Sequence, residues 1–197
     1  MTELIEERTG SKGGYGNYFK INPEVADLPE RFSVVEDGLR LMVMGGVPAG
    51  GSGCICPESA MLRALVTHLL LHRDQHVILD MEAGVEHLGR ATAKAVSAMV
   101  VVVEPGMRSV QTALVVKRLA ADIGIETVSA VLNKVRDESV VPQVTKQLGD
   151  VPLAGIIPFS DRTALADLEG RGVYDGSDEQ TAMIDQIAQR LMPGASD

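Results

Sequence analysis

The chain has 197 residues, a length typical of one domain, and 45% of them are hydrophobic although only 3% are aromatic. Its formal net charge of -9 at pH 7 argues against a general surface for nucleic acid or for anionic membranes. It shows no signal-peptide pattern, no apolar run of the roughly 20 residues that span a bilayer, and no cysteines spaced for an ordinary disulfide. We therefore expect a single cytoplasmic domain over residues 1–197.

The first half of the chain predicts a helix, a loop, a hairpin and a second helix. Residues 1–9 can form a short helical stub, and the glycines and prolines of residues 10–32 predict a loop. Asp37-Gly38 separates two short apolar runs, and this dipeptide favours a β-hairpin. Pro57 suits the first turn of a helix whose leucines recur at helical spacing. We expect hairpin strands at residues 33–36 and 39–44, the helix at 57–72 and a short apolar strand at 76–81.

The second half of the chain alternates apolar strands with helices. Residues 97–104 contain an unbroken apolar run, which predicts a strand buried on both faces, as in a parallel sheet. The alternation predicts an α/β fold, a doubly wound and mostly parallel sheet with helices on both faces. We expect the other strands at residues 127–133 and 153–157, helices at 108–123, 139–148 and 180–191, and a short helix that contains residues 165–168.

The whole cysteine content of the chain is Cys54 and Cys56, which follow a glycine-rich segment and precede Pro57. Both thiols are therefore expected at a helix N-terminus, where the partial positive charge favours the thiolate. Thiolates bind Zn²⁺ and Ni²⁺, but a Cys-x-Cys pair supplies only half of a tetrahedral site. A two-fold homodimer would supply the other half. Inert packing of the two cysteines and a redox pair remain alternatives.

Acidic and amide side chains follow the ends of three predicted strands, and ligands of doubly wound folds bind at this edge. Asp80 ends the strand at residues 76–81, Glu104 follows the next strand, and Asn133 ends the one after it. An acid after a buried strand can hold Mg²⁺ beside a nucleotide, and Gly84 would let the next loop approach a γ-phosphate. The alternative is that Asp80 caps a turn.

Two further pairs at this edge can contact a nucleobase. The Asn133 amide can both donate to and accept from a base edge, with Lys134 next to it. Pro158 and Phe159 follow the last strand and can pack against an adenine ring. Each pair has a structural alternative, since asparagine favours turns and the aromatic ring can belong to the core.

Two tempting patterns are set aside. Residues 11–18 are glycine-rich, but no buried strand precedes them and they lack the lysine and hydroxyl ending of a phosphate loop. His68 and His72 share a face of the predicted helix, yet no third ligand is spaced to complete a zinc site.

Taken together, the chain resembles the accessory ATPases of carbon monoxide dehydrogenase called CooC, which are nickel-insertion proteins of the MinD/ParA/nitrogenase-iron-protein group of P-loop ATPases. The most specific matches are the cysteine motif and the stretch that begins at Asp80. The resemblance runs from Glu3 to about Leu191 and is carried by residues 4–10, 51–58, 80–90, 102–106, 133–135 and 167–170.

The resemblance implies an ATP- or ADP-binding homodimer that works with carbon monoxide dehydrogenase and holds one Ni²⁺ or Zn²⁺ between its subunits. It makes Cys54 and Cys56 the metal ligands, Asp80 the Mg²⁺-linked acid, Gly84 the switch glycine and Asn133 the adenine contact.

Members of this family carry a strand and a phosphate loop with two lysines ahead of the matched region. We therefore expect that the 197-residue polypeptide alone does not hydrolyse ATP. A MinD- or ParA-like positioning or partition ATPase and a non-catalytic metal-binding module are the competing functions. The acidic to neutral segment at residues 178–190 argues against docking on a membrane.

Overall fold

The computed structural model describes residues 2–10, 20, 22–43, 56–69, 76–81, 96–172 and 179–192. The chain divides into two compact units, Met1–Val96 and Ser97–Asp197, and each is described by itself. The expectation of one domain over residues 1–197 stays a prediction. In the described helices, no segment is both long and apolar enough to cross a bilayer.

The described residues of the first unit form three helices and a two-stranded hairpin. A small apolar core forms where helices α1 and α3 contact each other, with Met61 only 1% exposed. Buried Val25, Leu28 and Leu65 complete this core, against which Leu4, Met42 and Ala64 pack. The elements are α1 Thr2–Thr9, α2 Leu28–Phe32, β1 Val34–Glu36, β2 Leu39–Leu41 and α3 Cys56–Leu69.

Helix α2 corrects the expectation that residues 10–32 are entirely loop. Pro29 lies in its first turn, where the missing N–H costs nothing, and Leu28 is 1% exposed. The Leu28 side chain is buried against α3, and this packing stabilises the short helix. The glycine and proline content of the segment does not show such packing. Residues 11–19 and 21 lie outside the described residues.

The hairpin predicted from Asp37-Gly38 is confirmed. Strands β1 and β2 pair in antiparallel register, with Val34 opposite Leu41 and Glu36 opposite Leu39. Asp37 and Gly38 both have positive φ angles, 48° and 81°, which are characteristic of the type I′ turn. The local turn chemistry therefore sets the register of this pair.

The strand expected at residues 76–81 is not formed. The structure assigns no strand to these residues, and Val77 and Ile78 are 37% and 84% exposed. A strand needs a neighbour to satisfy its backbone N–H and C=O groups, and the described residues give this segment no ladder partner. Apolar composition predicts a strand here, but composition does not supply a partner.

The second unit is a parallel three-stranded sheet with helices on both faces, which confirms the predicted α/β class. Its strands lie in chain order, so each crossover leads to the adjacent strand. The strands are β3 Met99–Val103, β4 Val128–Val135 and β5 Leu153–Pro158. The helices are α4 Met107–Ile123, α5 Val141–Leu148, α6 Asp161–Leu168 and α7 Glu179–Leu191, with a 3-10 helix at Glu138–Val140 before α5.

Alternate side chains of β4 belong to the two faces of the sheet. Leu132, which is fully buried, packs in a cluster with Val110 of α4 and Val144 of α5. Val131, the residue before it, packs with Ala154 and with Ile187 of α7. The period-2 alternation of β4 thus places α4 and α5 on one face and α7 on the other.

The run of valines in β3 does form a strand, but the expectation that it is buried on both faces is wrong. Val103 is fully buried on the side of α4, whereas Val100 and Val102 are 41% and 61% exposed. The strand is at the edge of the described sheet, and α7 contacts β5 rather than β3. An all-valine run identifies a strand but not the layer that covers it.

Helix α7 is fixed to both ends of β5 by hydrogen bonds. The Gln180 side-chain amide donates to the Pro158 carbonyl at 2.7 Å, and the Arg190 guanidinium donates to the Ala154 carbonyl at 2.8 Å. The helix therefore runs antiparallel to the strand. Between them, a side chain at Gly155 would meet Ile187, so the glycine allows the helix to approach closely.

Candidate functional site

The carboxyl ends of β3, β4 and β5 meet at one edge of the sheet. The parallel register pairs Val103 with Leu132 and Leu132 with Ile156, so the residues that follow each strand emerge on the same side. This edge is where doubly wound folds bind ligands. The side chains that it gathers are those of Glu104, Asn133, Lys134, Arg136, Pro158 and Phe159.

An ion pair joins the ends of the first two strands. The Lys134 ammonium lies 2.6 Å from the Glu104 carboxylate, and both side chains are more than half exposed. The Glu104 backbone N–H donates to the Ser109 hydroxyl at 3.0 Å, which ties the end of β3 to the first turns of α4. The exposed pair provides one positive and one negative group at the edge of the sheet.

The backbone at Asn133 and Lys134 departs from regular strand geometry. The pairing of β4 with β5 shifts register between Leu132 and Val135, and Lys134 has a φ angle of 58°. A lysine with positive φ is uncommon and indicates a local constraint. The Asn133 side-chain oxygen accepts the Lys134 N–H at 2.9 Å, which fixes the orientation of the amide. This short-range bond is also what the turn alternative for Asn133 requires.

The end of β5 presents an aromatic ring with a cation on its face. The Phe159 backbone N–H donates to the Val135 carbonyl at 2.9 Å, and its ring is half-buried. The guanidinium carbon of Arg136 lies 3.4 Å from the centre of that ring, which is direct cation–π contact. The Phe159 ring is thus not a pure core residue, since an exposed arginine covers one of its faces.

Helices begin beside this edge after both β4 and β5. The Asp137 carboxylate accepts hydrogen bonds from the Ser139 hydroxyl and from the Ser139 N–H, the latter at 2.9 Å. These two bonds, the hydroxyl's first, hold the pKa of Asp137 below its usual range. After β5, the Ser160 hydroxyl accepts the Thr163 N–H at 3.2 Å and caps α6. The two caps fix the directions in which the chain leaves the edge.

The sequence-predicted residues of the first unit are described only in part. Asp80 is exposed at the end of residues 76–81, and one exposed carboxylate is a donor that suits Mg²⁺. Cys56 is the first residue of α3, as the helix-start prediction requires within one residue, but its side chain is not described. Gly84 and Cys54 lie outside the described residues. Among those that are described, no three His, Cys, Asp or Glu side chains cluster to hold a metal.

Two side chains of this edge were not predicted as site residues. Arg136 stacks on a ring that belongs to another strand, and Gln180 reaches Pro158 from a helix 22 positions later. Both contacts depend on the alignment of β4 with β5 and of α7 with β5. No local pattern around Arg136 or Gln180 marks them, so only the register could have revealed them.

Known proteins similar to this chain were found by sequence and by structure, although no protein-family model matches it. The carbon monoxide dehydrogenase accessory protein CooC of Rhodospirillum rubrum is 42% identical, over 98% of this chain and 75% of the relative. An uncharacterised ATP-binding protein of Methanocaldococcus jannaschii is also 42% identical, over 87% of this chain and 68% of the relative.

The fold is that of the cell division protein MinD. The structure of MinD from Aquifex aeolicus superposes with a TM-score of 0.64 over 88% of this chain and 76% of MinD, at 17% sequence identity. At this identity the likeness shows a shared fold, while the sequence match identifies the family. The chain therefore belongs to the family of the carbon monoxide dehydrogenase accessory protein CooC.

Proposed function

We propose that this chain is an ATP-dependent maturation factor that delivers nickel to carbon monoxide dehydrogenase in the cytoplasm. The observation that carries the proposal is the 42% identity to CooC of Rhodospirillum rubrum over 98% of the chain. That relative is named as an accessory protein of carbon monoxide dehydrogenase, so this enzyme is the proposed partner. A similar relative is named as an ATP-binding protein, which supports the nucleotide.

The adenine nucleotide is assigned to the carboxyl edge of the β3–β5 sheet. Asn133 offers an oriented amide to the base edge, Pro158 offers an apolar surface beside it, and Phe159 supports the Arg136 guanidinium on its ring. The Lys134 ammonium, which pairs with Glu104, adds a cation for the charged part of the ligand. This combination of a planar contact, an amide and a cation supports binding of ATP or ADP.

Nickel is treated as the cargo of the protein. Cys54 and Cys56 are the proposed ligands, because thiolates bind this metal and a helix begins at Cys56. Two thiolates leave a tetrahedral site half filled, so the proposal includes a homodimer in which both copies contribute the pair. Zn²⁺ would fit the same four thiolates.

Asp80 and Gly84 are the proposed nucleotide-sensing residues. The exposed Asp80 carboxylate would be linked to Mg²⁺, which when bound neutralises phosphate charge. Gly84 would allow the loop after Asp80 to approach the terminal phosphate and change with its presence. Metal release would thereby follow the state of the nucleotide.

The deciding experiment is a nickel titration of the full chain with and without MgATP. We expect one Ni²⁺ per two chains for the wild type and loss of this binding in Cys54→Ala/Cys56→Ala. The matched control is His68→Gln/His72→Gln, which removes two imidazoles nearby in the sequence and should bind nickel as the wild type does. Sedimentation measures the dimer in the same samples.

The competing functions predict different results. If the double cysteine variant binds nickel as well as the wild type, nickel delivery is wrong. A non-catalytic metal module would bind nickel identically with and without MgATP. A positioning ATPase, which the MinD-like fold would allow, would bind MgATP but no nickel. Activation of nickel-free carbon monoxide dehydrogenase by the loaded wild type is the positive readout.

A further inference from the structure

The contact between Arg136 and Phe159 has features of a stacking platform. The guanidinium carbon is 3.4 Å from the ring centre, close to the van der Waals separation of two flat groups, so the guanidinium lies on the ring. Arg136 is exposed whereas Phe159 is half-buried. A flat cation is thus supported from below by an anchored ring and is accessible to a further flat group from solvent.

The anchoring of this platform connects it to the edge of the sheet. The Phe159 N–H is bonded to the carbonyl of Val135, the residue directly before Arg136, so the two side chains are carried by hydrogen-bonded backbones. Gln180 holds the Pro158 carbonyl from α7. The ring and the guanidinium therefore emerge beside the bulge that contains Asn133 and Lys134.

We infer that Arg136 is the residue on which the nucleobase stacks, with Phe159 beneath it. The inference rests on the proposed nucleotide function and deepens it, because it names a base-selecting residue. Nucleobases stack on arginine planes as well as on aromatic rings. Purines stack more strongly than pyrimidines because their π surface is larger, so the platform modestly favours purines.

Asn133 supplies the second level of selection. Its side-chain oxygen already accepts the Lys134 N–H and has a further lone pair, and its NH₂ group is a donor. An oriented amide that donates and accepts is complementary to the paired acceptor and donor of adenine. Stacking on Arg136 then favours purines as a class, and Asn133 favours adenine among them.

The test compares nucleotide binding by the full wild-type chain and by variants that change the plane or the charge of Arg136. Arg136→Lys keeps the charge but loses the plane, and Arg136→Ala loses both. We expect both variants to bind MgATP about fivefold to tenfold more weakly, the low end of the stacking energies measured for single bases. Tripolyphosphate, which has no base, should bind all three proteins equally. Arg118→Lys on α4, also exposed, is the matched control.

A selective loss is the decisive result. The wild type should prefer MgATP to MgCTP, and Arg136→Lys should lose this preference while its binding of tripolyphosphate is unchanged. Equal MgATP affinity of wild type and Arg136→Lys would overturn the inference and leave the proposed function standing. Failure of the wild type to bind any adenine nucleotide would overturn both.

A fluorescent variant gives an independent readout. The chain contains no tryptophan, so Phe159→Trp introduces a single one, and the larger ring can still carry Arg136. We expect MgATP to change its emission strongly and tripolyphosphate to change it little. The same emission change on adding tripolyphosphate would show that the ring reports phosphate binding rather than base stacking, which contradicts the inference.

Discussion

The Lys134 ammonium and the Glu104 carboxylate lie 2.6 Å apart although they are 30 positions apart in the chain. The pair joins the ends of β3 and β4 at the edge where ligands of this fold bind. Both groups are more than half exposed, so the pair contributes little to stability, about 0–1 kcal/mol. The pair instead affects geometry, because it holds the side chain of Lys134, whose backbone has a positive φ angle.

Lys134 is expected to be a strained position that glycine relieves. Its φ angle of 58° disfavours any residue with a Cβ atom, whereas glycine adopts it readily. Lys134→Gly should therefore be more stable than Lys134→Ala by about 1 kcal/mol, since both lack the ammonium and differ only at Cβ. Urea unfolding of the two variants measures this difference. Equal stability would show that the bulge relaxes without strain.

Gly155 is expected to be intolerant of a side chain because of Ile187. An added Cβ atom would meet the Ile187 side chain, so Gly155→Ala should lower the free energy of unfolding by about 1–3 kcal/mol. The double variant Gly155→Ala/Ile187→Ala shortens the opposing side chain and removes the clash. The alanine at position 155 should therefore cost less stability in the double variant than in the wild-type background. A double-mutant cycle by urea unfolding measures the coupling, and strictly additive losses would contradict it.

Asp27 is expected to make the first unit sensitive to acid. One of its oxygens accepts from both Arg31 and Arg8 at 2.7 Å, and the bond from Arg31 is the largest cause that lowers the pKa of this carboxyl. A lowered pKa stabilises the fold above the unfolded value of about 4 and loses that contribution as pH falls through the folded value.

The measurement is a carboxyl-carbon NMR titration of the wild type and of Arg31→Gln. We expect the pKa of Asp27 to rise in the variant. Arg118→Gln, which removes an exposed arginine from α4, should leave it unchanged. A pKa of Asp27 that does not change in Arg31→Gln would show that the bond seen in the structure does not persist in solution.

Asp80 is expected to link nucleotide affinity to Mg²⁺. Asp80→Asn keeps the size of the side chain but removes its charge, so addition of Mg²⁺ should strengthen ATP binding in the wild type and have a smaller effect in the variant. Asp122→Asn, an exposed acid on α4, is the matched control and should behave as the wild type does. An unchanged response to Mg²⁺ in Asp80→Asn would remove this residue from the site.

Turn and helix-end residues were the parts of the fold that the sequence predicted well. Asp37-Gly38 determines the hairpin through its two positive φ angles, and Gly124 ends α4 with a φ angle of 90°. Both outcomes depend on the chain within a few residues. Layering was predicted less well, because whether Val100 and Val102 are covered depends on which strand α7 contacts. Apolar residues 76–81 do not form a strand because the described residues give them no ladder partner, which their composition does not show.

The sequence predicted which edge of the sheet holds the candidate site, but it did not predict the side-chain contacts there. Glu104 follows β3, Asn133 and Pro158 lie in the last residues of β4 and β5, and the parallel fold brings all three to one side. The stack of Arg136 on Phe159 depends on how β4 and β5 are aligned. That alignment includes a register shift around Lys134. No spacing rule contains such a shift, so this contact could not be deduced.

The attachment of α7 to β5 couples the end of the chain to the ligand edge. Gln180 and Arg190 both hydrogen-bond to β5 and lie about 15 Å apart along the helix axis. This distance is close to the length of strand between Ala154 and Pro158, whose carbonyls they bind. The helix thereby restrains the strand at two points. A fusion or substitution that bends α7 would displace the Pro158 carbonyl, and with it the backbone that carries Phe159.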